Sequence, residues 1–498
     1  MLKKGTKYLL CKHFSVILHR KQHKLGKKRT GNWRLNLMNG KSLLTRMDRL
    51  LSYIVRLIVC LSGWAKPLAR IGLARYEEWS KGHPMKILLL GYNGARNTGA
   101  DARVVALTQQ MEQMFGADEV ELTVMTLDEN TMKGYFSPKI RLFSFTTFFF
   151  FSLPRAISQH HVAVLCEGST ITRTFADALT VYYCGAAGIA KRQGKPCIAY
   201  GSEVGHVDGW LGQLCSDLCS DTYFIVRTEE SLQNLQALGL KGHVGTDTAW
   251  TFQTPEGELW ARQQLKSDGW DGKQPLLGVA VINPFCWPVR PSLSKWVMAW
   301  VTRDFSQQYD MMYFFSESEE RRKKFSHYLQ EVAKAANQYQ KERNAFVIIL
   351  GMERLDAEAC NVMKRQIEGP HGVYTSKHHD VFQMTGLLRQ LNLLVTSRYH
   401  ANVLSMEHGH PVVAVSMDAR LDTLMRETGL KEKYLHHVDD EHLSEHITKS
   451  IHLAEEHREE IADTLSKSLV AYKEKVEEMS NFFKQWIKDC FSSQEQQA

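Results

Sequence analysis

Met85-Lys86-Ile87-Leu88-Leu89-Leu90-Gly91-Tyr92-Asn93-Gly94-Ala95-Arg96-Asn97-Thr98-Gly99 reads as a buried strand running into a turn rich in Gly and Asn. A short run that is apolar but for Lys86 matches a strand covered on both faces. Past the turn the spacing changes. Val104, Leu107, Met111 and Met114 recur every three or four residues, as along one side of a helix. Strand, turn and helix in that order open a Rossmann-like unit.

The pattern repeats outward from there. Residues Glu121–Met125, Val162–Cys166, Cys197–Gly201 and Tyr223–Val226 are further short apolar runs separated by stretches long enough for helices. After a polar stretch, Gln263–Gln274, a second set follows: Leu277–Ile282, Met311–Phe315, Phe346–Leu350, Leu393–Thr396 and Val412–Ser416. A helix is expected over Glu317–Gln338, and a long charged helical region over His442–Asp489. The expected fold is α/β, with two Rossmann-like lobes and a central cleft. The expected boundaries are a basic extension with an amphipathic helix at 1–84, a first lobe at 85–270, a second lobe at 271–435 and a helical region at 436–498.

Composition supports a folded body with a differently charged arm. Hydrophobic residues are 44% and charged residues 23%, the values of a globular protein. In residues 1–84, nineteen Lys and Arg face three Asp and Glu; the rest of the chain holds 43 against 51. The arm suits an anionic surface, or is simply a solvated tail. It lacks interleaved aromatics and a reader fold, so no nucleic-acid partner is expected. Leu50 to Ala65 is amphipathic, with Leu50, Leu51, Ile54, Leu57, Ile58 and Leu61 on one side and Arg49, Ser52 and Arg56 on the other. Peripheral membrane contact and packing on the body are both open to it. Met1 to Arg34 holds no sustained apolar core of a secretory signal, and the ten cysteines form no disulfide framework. The expected location is the cytoplasm, including the inner face of the cell membrane. The run Phe143–Leu153, with six phenylalanines, is expected to face a core.

In open parallel sheets, ligands sit at the carboxyl ends of strands. Four such turns hold the candidate residues. The first carries Gly91, Asn93, Asn97 and Gly99, whose backbone N–H groups and following helix suit an anion, or serve the turn alone. The second is Cys166-Glu167-Gly168-Ser169, and the third Gly201-Ser202-Glu203-Val204-Gly205. The fourth is Thr396-Ser397-Arg398-Tyr399-His400-Ala401. Arg398 offers a bidentate fork for carboxylate or phosphate, and His400 a proton near neutral pH. Glu167 and Glu203, in the second and third turns, are placed to cap the helices that follow. The adjacent pairs His160-His161, His378-His379 and His436-His437 lack H-E-x-x-H spacing, and no G-x-S-x-G elbow is present. No metal and no cofactor are predicted.

Taken in order, these turns resemble the polysaccharide pyruvyltransferase family from about Met85 to Leu430. The resemblance rests on Gly91, Asn97 and Gly99; on Gly201 and Gly205; on Val226-Arg227 with Ser231; and on Asp247 with Ala249. Its most specific part is Arg398-Tyr399-His400-Ala401 followed by Gly409-His410-Pro411-Val412-Val413 and Ser416-Met417-Asp418. The sequence departs from the family at Glu167-Gly168-Ser169, where a glycine run is usual, and at Asp101, a displaced acid. It also departs at Thr228, at Thr248, and at Arg420 in place of a common lysine. The resemblance implies a fold similar to B-type glycosyltransferases and transfer of a pyruvyl group from phosphoenolpyruvate to a sugar of a cell-surface polysaccharide. It implies His400 and Arg398 as catalytic residues. Arg420, Gly91, Asn93, Asn97, Gly99, Gly201 and Ser202 would then bind the donor, and Glu167 and Glu203 a glycan or lipid-linked saccharide acceptor. The alternatives are a nucleotide-sugar glycosyltransferase and a non-catalytic glycan-binding or assembly protein of the same fold.

Overall fold

A computed structural model describes residues 40–144, 149–303, 308–310 and 313–495. Residues 1–39 of the basic extension, Phe145 and Phe148 of the phenylalanine run, and Met311 of the expected strand Met311–Phe315 lie outside the described residues.

Seven parallel strands form the first sheet: β1 Met85–Leu90, β2 Val120–Thr126, β3 Arg141–Ser144, β4 Val162–Leu165, β5 Cys197–Ser202, β6 Tyr223–Val226 and β7 Lys241–Val244. Their order is β3-β2-β1-β4-β5-β6-β7. The chain starts mid-sheet, runs outward, then returns to the centre and fills the other side. Its topological switch point therefore lies between β1 and β4.

The second lobe repeats this plan. Its strand β8 is Leu276–Ala280. A small antiparallel sheet follows, made of β9 Arg290–Pro291, β10 Gln308–Asp310 and β11 Tyr313–Phe314. The parallel sheet then resumes with β12 Phe346–Gly351, β13 His371–Thr375, β14 Leu393–Thr396, β15 Val412–Ser416 and β16 Leu435–His437. The order β13-β12-β8-β14-β15-β16 puts the second switch point between β8 and β14. The expected strand at Met311–Phe315 is corrected by this arrangement: its described part is antiparallel and outside the main sheet. Tyr309 and Phe315 instead pack on Trp287, with ring centroids 5.8 and 5.9 Å away. A short apolar run satisfies either sheet equally well.

One core runs through both lobes. The helix Thr98–Phe115 is buried for most of its length because sheet, second lobe and carboxyl-terminal helix all cover it. Helix Val381–Arg389 of the second lobe crosses the connecting helix Pro255–Ser267 so closely that a Cβ on Gly386 would stand 2.1 Å from the Gly257 carbonyl oxygen. The 38-residue helix Arg458–Glu495 then returns to the first lobe. Tyr472 stacks on Trp250 at 4.3 Å and Phe483 meets Tyr200 at 5.5 Å. At the other end of the chain, the helix Gly40–Ser62 lies against the first lobe through Val55 and Val59. The nine described cysteines are free thiols.

Candidate active site

The turns after β1, β4, β8 and β14 meet, so the two switch points face each other across one cleft. The lobes touch through backbone at its edge. Thr98 N–H donates to the Met352 carbonyl at 2.8 Å and Arg354 N–H to the Arg96 carbonyl at 3.1 Å. Asn97 caps the helix Thr98–Phe115 by accepting from Ala100 N–H at 3.1 Å. Gly99 is required by proximity: a Cβ there would lie 2.1 Å from Nδ1 of His400 on the opposite lobe. The loop glycine is what lets the imidazole approach.

Asp247 is the electrostatic centre. Its carboxylate, fully buried, accepts from Arg103 Nε at 3.1 Å, Arg227 Nη1 at 2.6 Å and the Ala249 backbone at 2.9 Å. His400 Nε2 lies 3.3 Å from the same carboxylate. Burial alone pushes the Asp247 pKa up, but Arg103, His400 and Arg227 outweigh it and hold the group well below the usual range. It is an anion at every physiological pH. His400 moves the other way. Burial lowers its pKa, and the bond to Asp247 only partly offsets this against Arg227 and Arg103. The imidazole is therefore neutral near pH 7, and an ionised Asp247 orients it with Nε2 as the protonated nitrogen. Arg227 continues to Glu203 at 2.7 Å, and its guanidinium lies 5.3 Å from the Tyr399 ring centre. Arg420 pairs with Asp418 at 2.5 Å and sits 5.1 Å over the Phe175 ring. The helices starting at Thr98, Tyr399 and Ala419 all point their positive ends toward this region.

A family profile, that of polysaccharide pyruvyl transferase, matches residues 97–418, which include Arg103, Arg227, Asp247 and His400 and stop just short of Arg420. The chain belongs to that family. Its members are transferases acting on polysaccharide. Among curated proteins none matches the chain. Among solved structures it is similar to HepE from Anabaena in complex with UDP-glucose, at 13% identity and a TM-score of 0.49 over 82% of this chain and 100% of that one. It is also similar to UDP-GlcNAc 2-epimerase from Neisseria meningitidis bound to UDP-GlcNAc, at 11% identity and a TM-score of 0.48, covering 78% and 100%. A third is the family 9 glycosyl transferase from Veillonella parvula, at 11% identity and a TM-score of 0.38, covering 76% and 99%.

The cleft of this pyruvyl transferase family member brings together some residues singled out in the sequence and leaves others behind its wall. His400, Arg398, Arg420, Asn97, Gly99 and Glu167 line it. Glu203 lines an adjoining hollow with Ser231, Asn234, Tyr399, Arg420 and Glu427. Arg398 is engaged elsewhere: its Nε donates to Asp356 at 2.9 Å, and Nη2 bonds both Asp356 and Glu353. Two carboxylates thus neutralise the fork expected to hold a substrate anion. Glu167 accepts from the backbone N–H of Tyr92 at 3.0 Å and of Ser169 at 3.3 Å, so it braces two loops. Gly91, Asn93, Gly201 and Ser202 are buried in the supporting layer, where Asn93 donates to the Met125 carbonyl at 3.0 Å and Gly201 takes a left-handed φ of 65°.

Arg103, Arg227 and Asp247 were not singled out as site residues. Arg103 left a signal, a charge in the apolar run Ala102 to Val105, and it is among the largest fully buried side chains described. Away from the cleft, on and beyond edge strand β16, His436, Asp440 and His446 place possible ligand atoms within 4.8 Å of one another. They bond locally, His446 to Asp440 at 2.6 Å and His436 to Ser450 at 2.9 Å.

Proposed function

We propose that this protein transfers a pyruvyl group from phosphoenolpyruvate to two hydroxyls of a glycan. The observation that carries the reading is the His400–Asp247 pair set beside Arg227 and Arg420. In the reaction, His400 gives a proton to the methylene carbon of the donor, and the adjacent carbon becomes electrophilic. A sugar hydroxyl adds there and releases its proton, phosphate departs, and a second hydroxyl closes the ketal. Atoms balance with inorganic phosphate as the by-product. Asp247 stabilises the imidazolium that delivers the proton. Arg420 faces the donor's carboxylate or phosphate, for which the donor competes with Asp418, and Arg227, itself paired with Asp247 and Glu203, adds positive charge behind it. Because His400 is neutral in the free protein, the anionic donor must raise its pKa on arrival, so binding takes up a proton. Glu203 and Asn234, in the adjoining hollow, suit sugar hydroxyls.

The test is phosphate release from phosphoenolpyruvate with glycan acceptors, for the native chain and His400→Gln. The expected loss in kcat for the variant is on the order of 10²-fold or more. Full activity in the variant ends the acid role. Thermal stabilisation by a nucleoside diphosphate, with none by phosphoenolpyruvate, overturns the donor in favour of a nucleotide sugar.

A further inference from the structure

The helix Gly40–Ser62 turns its smaller, more polar side inward. Ser52, Val55, Val59 and Ser62 are buried against the first lobe. Leu50, Tyr53, Ile54, Leu57, Leu61 and, just beyond the helix, Trp64 are between 44% and 69% exposed. Their spacing makes one continuous apolar stripe. A helix whose function ended with packing on the body would show the opposite distribution, and a contiguous patch of this kind marks an interaction surface.

Two observations select the partner. Residues 1–47, which lead into the stripe, hold thirteen Lys and Arg and no Asp or Glu, and Arg70 and Arg75 beyond it are exposed. Apolar stripe and cationic surroundings complement a bilayer of acidic lipids. Tyr53 and Trp64 are the ring types that settle at headgroup level. The stretch Leu50–Arg70 is long and apolar enough to cross a membrane. It is nevertheless held along the lobe, by Arg56 to Asp217 at 2.7 Å and by Gln193 Nε2 to the Ser62 carbonyl at 3.3 Å. A helix fastened this way lies along a surface.

We propose that this stripe seats the enzyme on an anionic lipid bilayer as an interfacial helix, with the first lobe fixed to its inner side. Such seating holds the cleft near acceptors that are themselves carried on lipid.

The experiment is flotation of the full chain with phosphatidylcholine vesicles, with and without phosphatidylglycerol, for the native protein and for Leu57→Glu/Leu61→Glu. Leu57→Ser is the milder variant for use where the double change lowers Tm. Native protein is expected to float with the anionic vesicles, and the variant to bind about tenfold less or weaker at unchanged Tm. Equal flotation of native and variant protein overturns the proposal, as does native protein that stays in solution. So does a native dimer that the variant dissociates in the absence of lipid, since a second copy then covers the stripe. The measurement uses no donor, so its failure leaves the reading of the cleft untouched.

Discussion

The balance around Asp247 sets what single residues of this site can tolerate. Three cationic or protonatable groups converge on one buried carboxylate, and each is desolvated at a cost that the shared anion helps to offset. Asp247→Asn keeps the shape and removes the charge, leaving Arg103 with no carboxylate and Arg227 with Glu203 alone. Chemical denaturation at pH 7 should show a loss of about 3–5 kcal/mol. The same change removes the influence that raises the His400 pKa, so NMR titration of the imidazole should show a still lower value. The strand-end reading reached His400, the family resemblance supplied Arg420, and both line the cleft. It assigned Arg398 to substrate because a fork beside a histidine looks available. What it had no means to see was Asp356, forty-two positions away, already occupying that fork.

At the scale of elements, the central strands were legible and the edges were not. β1, β4, β8 and β14 are near-continuous apolar runs because helices cover both faces. Edge strands β3, β7, β13 and β16 carry Arg141, Lys241, His371 and His436, and none of them is among the expected strands. The crossing of helices Pro255–Ser267 and Val381–Arg389 also left little trace, since Gly257 and Gly386 look like ordinary weak points in helices. Their reason is tertiary. A Cβ on Gly257 would lie 2.1 Å from the Phe382 carbonyl oxygen, and backbone facing backbone has no rotamer through which to yield. Gly386→Ala should therefore cost about 1–3 kcal/mol, against a slight gain for the same change in a free helix. A fall in Tm measures it, and an unchanged Tm shows that the crossing has slack.

The whole molecule is joined by groups whose charge depends on pH. Asp101 accepts from Gly94 N–H at 3.3 Å and from Tyr135 at 3.4 Å, and the Tyr135 oxygen accepts from Val381 N–H of the second lobe at 3.3 Å. Burial raises the Asp101 pKa to about 7. In an unfolded chain an aspartate titrates near ~3.9, so the folded protein keeps a proton that the unfolded one has lost. Stability from this group is present at low pH and is lost as pH rises through about 7. Asp101→Asn, which cannot ionise, should gain Tm over the native chain progressively from pH 5 to pH 7, with the gain level above that. A constant difference across the range excludes the linkage. The carboxyl-terminal helix binds the molecule in a different sense, that of time. During synthesis the first lobe emerges with Trp250 and Tyr200 bare, because their cover, Tyr472 and Phe483, belongs to a helix that follows the whole second lobe in the chain. The first lobe is completed only after the second has been made. Until the ribosome has passed those residues, the nascent chain presents an aromatic face for chaperones to hold, and a chain cut short before Tyr472 keeps that face open.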